Sequence, residues 1–359
     1  MEPVSFLVGL VDRYSPSGSE RTVAEYASGC LREAGLDAHV DPAGNVCAEI
    51  GTGDCALLFL GHIDTVDGDR GVRVADGCVH GRGAVDAKGP FAAFAAALVR
   101  LAAVPGRRVV LVGAVEEETL SSNGARYIVD RYRPECAIIG EPSGWQGLTL
   151  GYKGRLALRY RGVSVPEHGA APGPSPLQRA VDYWNALCAY RDAYNADKSV
   201  FYQLDLSLQD IRQSATPERT EVELIGHARL PIGLDPDELK AQAIAAGDGA
   251  TVEPVDDAPP ILAGKNNPLV RAFLRAIRRH GGQPAFKVKT GTSDMNIVGP
   301  AWGVPILAYG PGDSSLDHTP FEFLRIDEYL RSIDILTDVV AALSDRLPVG
   351  SDRVQSGEG

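Results

Sequence analysis

The sequence predicts an α/β protein in two parts: a mostly parallel sheet flanked by helices, and a smaller α+β insert that interrupts it. Three observations carry this. Apolar runs of strand length, Leu57–Leu60, Val109–Val115 and Ala137–Gly140, alternate with helical patterns and lack the polar alternation of a half-exposed strand, as buried parallel strands do. From Gly154 the texture changes to alternating strands, and a helix–strand–helix pattern resumes after residue 263. The predicted boundaries are 1–153 and 263–346 for the two halves of the main domain, 154–262 for the insert, and 347–359 for a disordered tail.

The elements follow in chain order. Val4 to Tyr14 has helical apolar spacing, and Ser19 is placed to cap a second helix from Arg21 to Ala34. Ala38–Val40 and Val46–Ile50 read as a hairpin, with His39 on its surface. The run FAAFAAALVRLAA is a buried helix behind Asp86, and His80 precedes it in a Gly-bounded excursion as a surface or structural residue. In the insert, LALRYRGVSV is a strand. A helix follows with Leu177, Ala180, Val181, Trp184 and Leu187 as its apolar face. Two more strands and a second helix complete it, and PVDDAPPILAGKNNP reads as a return linker. The helix Pro268–His280, the strand in GVPILAYGP and a closing helix from Phe323 to Leu343 finish the main domain.

Composition narrows the function. The 359 residues are 44% hydrophobic and 23% charged, as in ordinary soluble proteins, and no apolar run approaches a membrane span. The N-terminus has no secretory pattern, so a cytoplasmic protein is expected. A net charge of −12 argues against nucleic acid, whose phosphates need a basic stripe. The six cysteines are scattered without a C-x-x-C pair, which points to buried free thiols rather than a disulfide framework.

Chemistry gathers at the strand ends. Leu57–Leu60 runs into His62 and Asp64, Val109–Val115 into Glu116, Glu117 and Glu118, and Ala137–Gly140 into Glu141. Asp86 stands just ahead of a helix, where its charge is favoured, and His318 follows the last strand. Two histidines with several carboxylates suit zinc, cobalt or manganese, and a carboxylate able to bridge suits a pair of metals.

The motifs GHIDTV, GRGAVDAKG, an EE pair after a strand, GEPS and DHTPFE resemble the signature of the di-zinc aminoacylase and carboxypeptidase family that includes acetylornithine deacetylase (ArgE) and succinyl-diaminopimelate desuccinylase (DapE). AVEEETLSSNGAR, LGYKGRL, TGTSDMN and DHTPFE are most similar to its branch that removes lysine or ornithine from an amino-group carrier protein (LysK acting on LysW). The resemblance implies a zinc-peptidase-like main domain and a lid, residues 154–262, through which two copies dimerise. It implies two zinc ions, with cobalt as a substitute, held by His62 and Glu141 on one side and Glu117 and His318 on the other, with Asp86 bridging. Asp64 would fix the His62 tautomer, and Glu116 would be the general base. In the triple Glu either Glu116-Glu117 or Glu117-Glu118 can fill the required pair; the first is favoured because Val115 ends the strand, which leaves Glu118 solvated.

Further expectations rest on the same resemblance. His168 would stabilise the oxyanion across the dimer, Arg229 would take a substrate carboxylate, and His227 would be structural. Thr292 and Asp294 would contact the released amino acid. An acidic carrier needs a local basic patch on a chain this acidic, with Lys153 and Arg155 beside Arg159 and Arg161 as candidates. The expected reaction is release of lysine, ornithine or a related amino acid from the terminal glutamate of the carrier, in lysine or arginine biosynthesis. A small-molecule N-acyl-amino-acid deacylase or dipeptidase is the alternative, and an inactive binding protein a remote third.

Overall fold

The computed structural model describes residues 1–102, 107–165 and 173–344. His168 and the tail 347–359 lie outside the described residues. The apolar runs form the centre of a nine-stranded sheet, with Arg107–Ala114, Thr52–His62, Ala137–Gly140 and Ile306–Ala308 side by side and parallel. The hairpin Asp37–Val40 and Val46–Ile50 extends one edge antiparallel, with His39 exposed. Gly147–Tyr152 and its neighbours extend the other. One face is covered by the helices Pro3–Val11, Arg21–Glu33, Lys88–Leu101, Pro268–Arg279 and Ile326–Ser344, and the other by Asn123–Val129 and Met295–Trp302. Burial on both faces explains the near-unbroken apolar composition of the central strands.

Between Gly154 and Ala258 the chain builds a second, four-stranded antiparallel sheet, in the order Asp205–Ala215, Thr220–Leu230, Gly154–Ser164, Thr251–Ala258. The helices Pro176–Asn195 and Pro236–Ala246 pack on it around a separate core of Leu156, Leu158, Tyr160, Leu187 and Leu224. An α+β insert on a mostly parallel α/β sheet is the fold class expected.

Three local readings are corrected. The Pro- and Asp-rich stretch read as a linker contributes strands, Thr251–Ala258 and Ile261–Leu262. Pro254 is tolerated because its strand is at the sheet edge and a bulge follows between Pro254 and Asp256. The buried face of Pro176–Asn195 is Ala180, Tyr183 and Leu187, whereas Leu177 and Val181 are exposed. The second helix begins after Glu20, whose carboxylate accepts the Gly18 N–H, and Ser19 does not cap it. Cys47, Cys55 and Cys136 are buried free thiols and Cys30, Cys78 and Cys188 are half-buried ones, with no disulfide among the described residues. Burial pushes the Cys47 thiol up to about 12.

Candidate metal centre

The parallel strands deliver their polar C-terminal ends to one side of the sheet, where a cavity of about 760 Å³ opens between the sheet and the insert. Asp86, Glu117, Glu118, Glu141 and His318 line it, with Arg155, His227 and Arg229 from the insert and Thr292 opposite. His62 and Asp64 lie buried at the end of their strand. Asp86 occupies the middle: its Oδ1 is 3.1 Å from His62 Nε2 and its Oδ2 is 3.1 Å from His318 Nε2. One carboxylate thus offers an oxygen to each of two separate imidazoles.

The acidic run falls one residue later than the expected register. Glu116 has φ 58°, a left-handed conformation at the end of the strand, and its carboxylate turns aside to accept a hydrogen bond from Ser121 Oγ at 2.6 Å. Its N–H donates to Glu20, also away from the cavity. Glu117 and Glu118 face the site instead. The Glu117 carboxylate comes within 4.0 Å of His62 Nε2, and Glu118 is 3.0 Å from His318 Nε2. Glu118, expected to be solvated, is nearly buried. The loop turns back sharply here and Gly124 closes it, since a Cβ on Gly124 would stand 2.4 Å from Asn45 Oδ1 and 2.5 Å from the Val115 nitrogen.

Asp64 ties the two halves of the site together. His62 Nδ1 is 3.1 Å from the Asp64 backbone carbonyl and 3.4 Å from its carboxylate, so the ring proton expected on the carboxylate has the main-chain oxygen as its nearer acceptor. The carboxylate itself accepts from Ser17 Oγ and from the backbone N–H groups of Glu117 and Glu118. It therefore holds the acidic pair in place as well as facing the histidine.

The electrostatics are those of a site short of positive charge. Burial, aggravated by Asp86, raises the Glu141 carboxyl to about 8. Burial likewise raises Glu117 and Glu118. Asp86 and Glu118 push His318 up to about 10. In His62 burial works against the imidazolium, but Asp64 and Asp86 outweigh it and hold its pKa well above the ordinary value. Divalent cations would relieve this crowding, and the nitrogen and oxygen donors suit them. Two groups bring their donor atoms within 4.8 Å of one another: His62, Glu117 and Glu118, and Asp86, Glu118 and His318. Glu141 lines the same cavity outside both.

The remaining expected residues divide. Arg229 lines the cavity and donates to Thr292 Oγ1 at 3.2 Å. Asp294 is buried beneath the cavity at the start of the helix Met295–Trp302, with Oδ1 unpartnered, and does not line the wall. Lys153 is fully buried, its ammonium donating to the Gln203 carbonyl and to Asp205. That placement overturns its reading as an exposed docking residue. Arg155 pairs with Asp256 and donates to the Leu120 carbonyl, while Arg159 and Arg161 pair with Glu223, and with Glu253 and Glu221 respectively. Lys153→Met should accordingly lower stability by about 1–3 kcal/mol, a fall of a few degrees in thermal midpoint. A docking role predicts an unchanged midpoint in a melting curve.

Sequence reasoning missed Lys289, Tyr152 and Asp317, which line the cavity, and took the cavity-facing His227 for structural. Lys289 directly precedes the Thr290–Thr292 loop and Asp317 directly precedes His318, which was the available signal.

Residues 58–342 match the model of peptidase family M20/M25/M40. The chain belongs to that family. Within the M20 peptidases it is 42% identical to a LysW-lysine hydrolase of Deinococcus radiodurans over 92% of this chain and 93% of that one. It is 38% identical to a putative LysW-lysine/LysW-ornithine hydrolase of Thermococcus kodakarensis, covering 95% and 92% of the two. In fold it is similar to the M20 metallo-carboxypeptidase Sso-CP2 of Sulfolobus solfataricus, with a TM-score of 0.77, 18% identity and coverage of 96% and 100%. The family and the clustered donors together make this chain a metal-dependent hydrolase with a dinuclear metal site. Among the described residues no helix is long and apolar enough to cross a membrane.

Proposed function

We propose that this chain is an amide hydrolase that frees lysine, ornithine or a related amino acid from the terminal glutamate of an amino-group carrier protein. The names of its relatives support the substrate class. The single observation that carries the chemistry is Asp86, with one oxygen 3.1 Å from His62 and the other 3.1 Å from His318. Zinc is the proposed metal and cobalt a substitute. His62 and Glu141 would hold one ion and Glu118 and His318 the other, with Asp86 between them. When bound, two such cations polarise the scissile carbonyl and lower the pKa of water toward neutrality.

The chain's own groups then do the rest. The Glu117 carboxylate takes a proton from the attacking water as its oxygen bonds to the carbonyl carbon. It hands that proton to the amide nitrogen as the C–N bond breaks. Burial already places its affinity for a proton well above that of an exposed glutamate, which suits a group that must both accept and release one. Arg229, steadied by Thr292, receives the carboxylate of the departing amino acid. His168 from a second copy would donate to the developing oxyanion. Dimerisation through the insert is supported by its free edge strand, Asp205–Ala215, and by exposed Leu177 and Val181 on the adjacent helix.

One observation favours the second reading, a deacylase of small N-acyl amino acids: the four basic residues expected to receive an acidic carrier are all engaged within this chain. Intact mass spectrometry decides. An acidic carrier charged with lysine on its terminal glutamate should lose one lysine mass when incubated with zinc-loaded protein, and keep it with Glu117→Gln. An untouched carrier alongside turnover of N-acetylornithine would move the protein to the deacylase reading.

A further inference from the structure

Apart from His318, four basic side chains among the described residues line the cavity, and they are not equivalent. Arg155 is neutralised by Asp256 at 2.6 Å, and burial beside Arg229 lowers the His227 pKa, favouring the neutral ring. Among the described residues Arg229 has no carboxylate within ion-pair distance, and its side-chain hydrogen bond goes to Thr292. Lys289, half-buried at the end of the strand Ala285–Lys289, has neither a side-chain hydrogen bond nor an ion pair among the described residues. A half-buried ammonium without a partner on a cavity wall is placed to pair with an anionic group of a ligand.

The two free cations also lie on different sides of the site. Arg229 stands on a strand of the insert, opposite Arg155 in the register. Lys289 stands on a strand of the main sheet, opposite Tyr152, and lines the cavity together with Glu141 and Asp317. Between them runs the loop Thr290–Thr292, so each sits at one end of it. A substrate with one carboxylate can satisfy one of them. Satisfying both takes a carboxylate on each side of the scissile amide.

We propose that Lys289 is the receptor for a carboxylate on the acyl side of the substrate, so that the site selects acyl groups with an acidic end. This rests on the amide-hydrolase reading above and gives it a specificity. In a glutamate linked through its side chain, the carboxylate in question is the free main-chain one, which an acetyl group does not possess. Lys289 is here a binding residue: it touches substrate and takes no part in the proton transfers.

The test compares N-α-glutaryl-lysine with N-α-pentanoyl-lysine, two acyl groups of equal chain length that differ only in a terminal carboxylate against a methyl. Zinc-loaded wild type should favour the glutaryl substrate by about 10- to 100-fold in kcat/KM, the range of one charge-assisted contact. Lys289→Met should bring that ratio to within about threefold of one, and Lys289→Arg should restore part of it. If Lys289 only balances the neighbouring acids, Lys289→Met lowers both substrates alike and the ratio survives, which overturns the assignment. A wild type that hydrolyses both substrates equally overturns it too, while leaving the hydrolase intact. Should neither small substrate react, a charged carrier with the main-chain carboxylate of its terminal glutamate amidated replaces the pentanoyl compound. Amidation should then slow wild type by the same factor and Lys289→Met no further. Failure to cleave any of these compounds removes the hydrolase reading, and the Lys289 assignment with it.

Discussion

Glu117→Gln should reduce kcat by about 10²- to 10⁴-fold, the usual contribution of a positioned general base, with bound metal retained. Glu116→Gln should leave kcat within about threefold of wild type. The contrast follows from where the two carboxylates point. Glu117 is within 4.0 Å of the His62 ring nitrogen that Asp86 also faces, and its backbone N–H is anchored on Asp64. Glu116 is hydrogen-bonded to Ser121 outside the cavity. Glutamine keeps the size of the side chain and can still accept a hydrogen bond, but it cannot take the proton of the water. Glu118→Gln supplies the third point. Because Glu118 is 3.0 Å from His318 Nε2, its loss should show first in metal content, read by plasma mass spectrometry after dialysis. A Glu116→Gln variant as inactive as Glu117→Gln would restore the earlier register.

That register could not be read from the residues. Three consecutive glutamates after Val115 offer two pairs, and the end of the apolar run at Val115 favours the first. The left-handed turn at Glu116 moves the facing pair one residue on, and a positive φ at a non-glycine residue leaves no mark in composition. The strand ends themselves were legible, because buried parallel strands must be apolar and their polar ends stand out. His62, Asp64, Asp86, Glu141 and His318 were all found in this way or by motif, and the structure places them around one site. Lys153 was misread for the opposite reason. Followed by Gly154 and Arg155 it looks exposed, yet it lies where the two sheets meet and its ammonium is consumed by Gln203 and Asp205. Long-range burial of this kind depends on which distant segments arrive beside a residue, and no local pattern encodes it.

The other large effect is expected at a residue that is not itself among the proposed metal donors. Glu322 is buried, and its carboxylate accepts from Arg82 Nη1 at 3.0 Å and from the backbone N–H groups of Gly83, Val85 and Asp86. Those three amides belong to the loop that presents Asp86, and Arg82 also reaches the His318 carbonyl. One side chain thus fixes the loop of Asp86, the carboxylate between the two histidines, and, through Arg82, the segment carrying His318. Glu322→Ala would leave a buried guanidinium and three amides without their acceptor, costing about 3–5 kcal/mol of stability. Glu322→Gln keeps an acceptor at the loop and loses the charge facing Arg82, so its loss should be smaller. The measurement is a pair of melting curves, with and without zinc, together with metal affinity by chelator competition. If Glu322 serves only stability, Glu322→Gln binds metal as wild type does at temperatures where it is folded. If it also sets the position of Asp86, its metal affinity falls by about 10- to 100-fold, as it does when groups that orient metal ligands are removed, and added zinc raises its midpoint less than that of wild type. The second outcome is expected, because three of its four hydrogen bonds run to the backbone on which Asp86 is mounted.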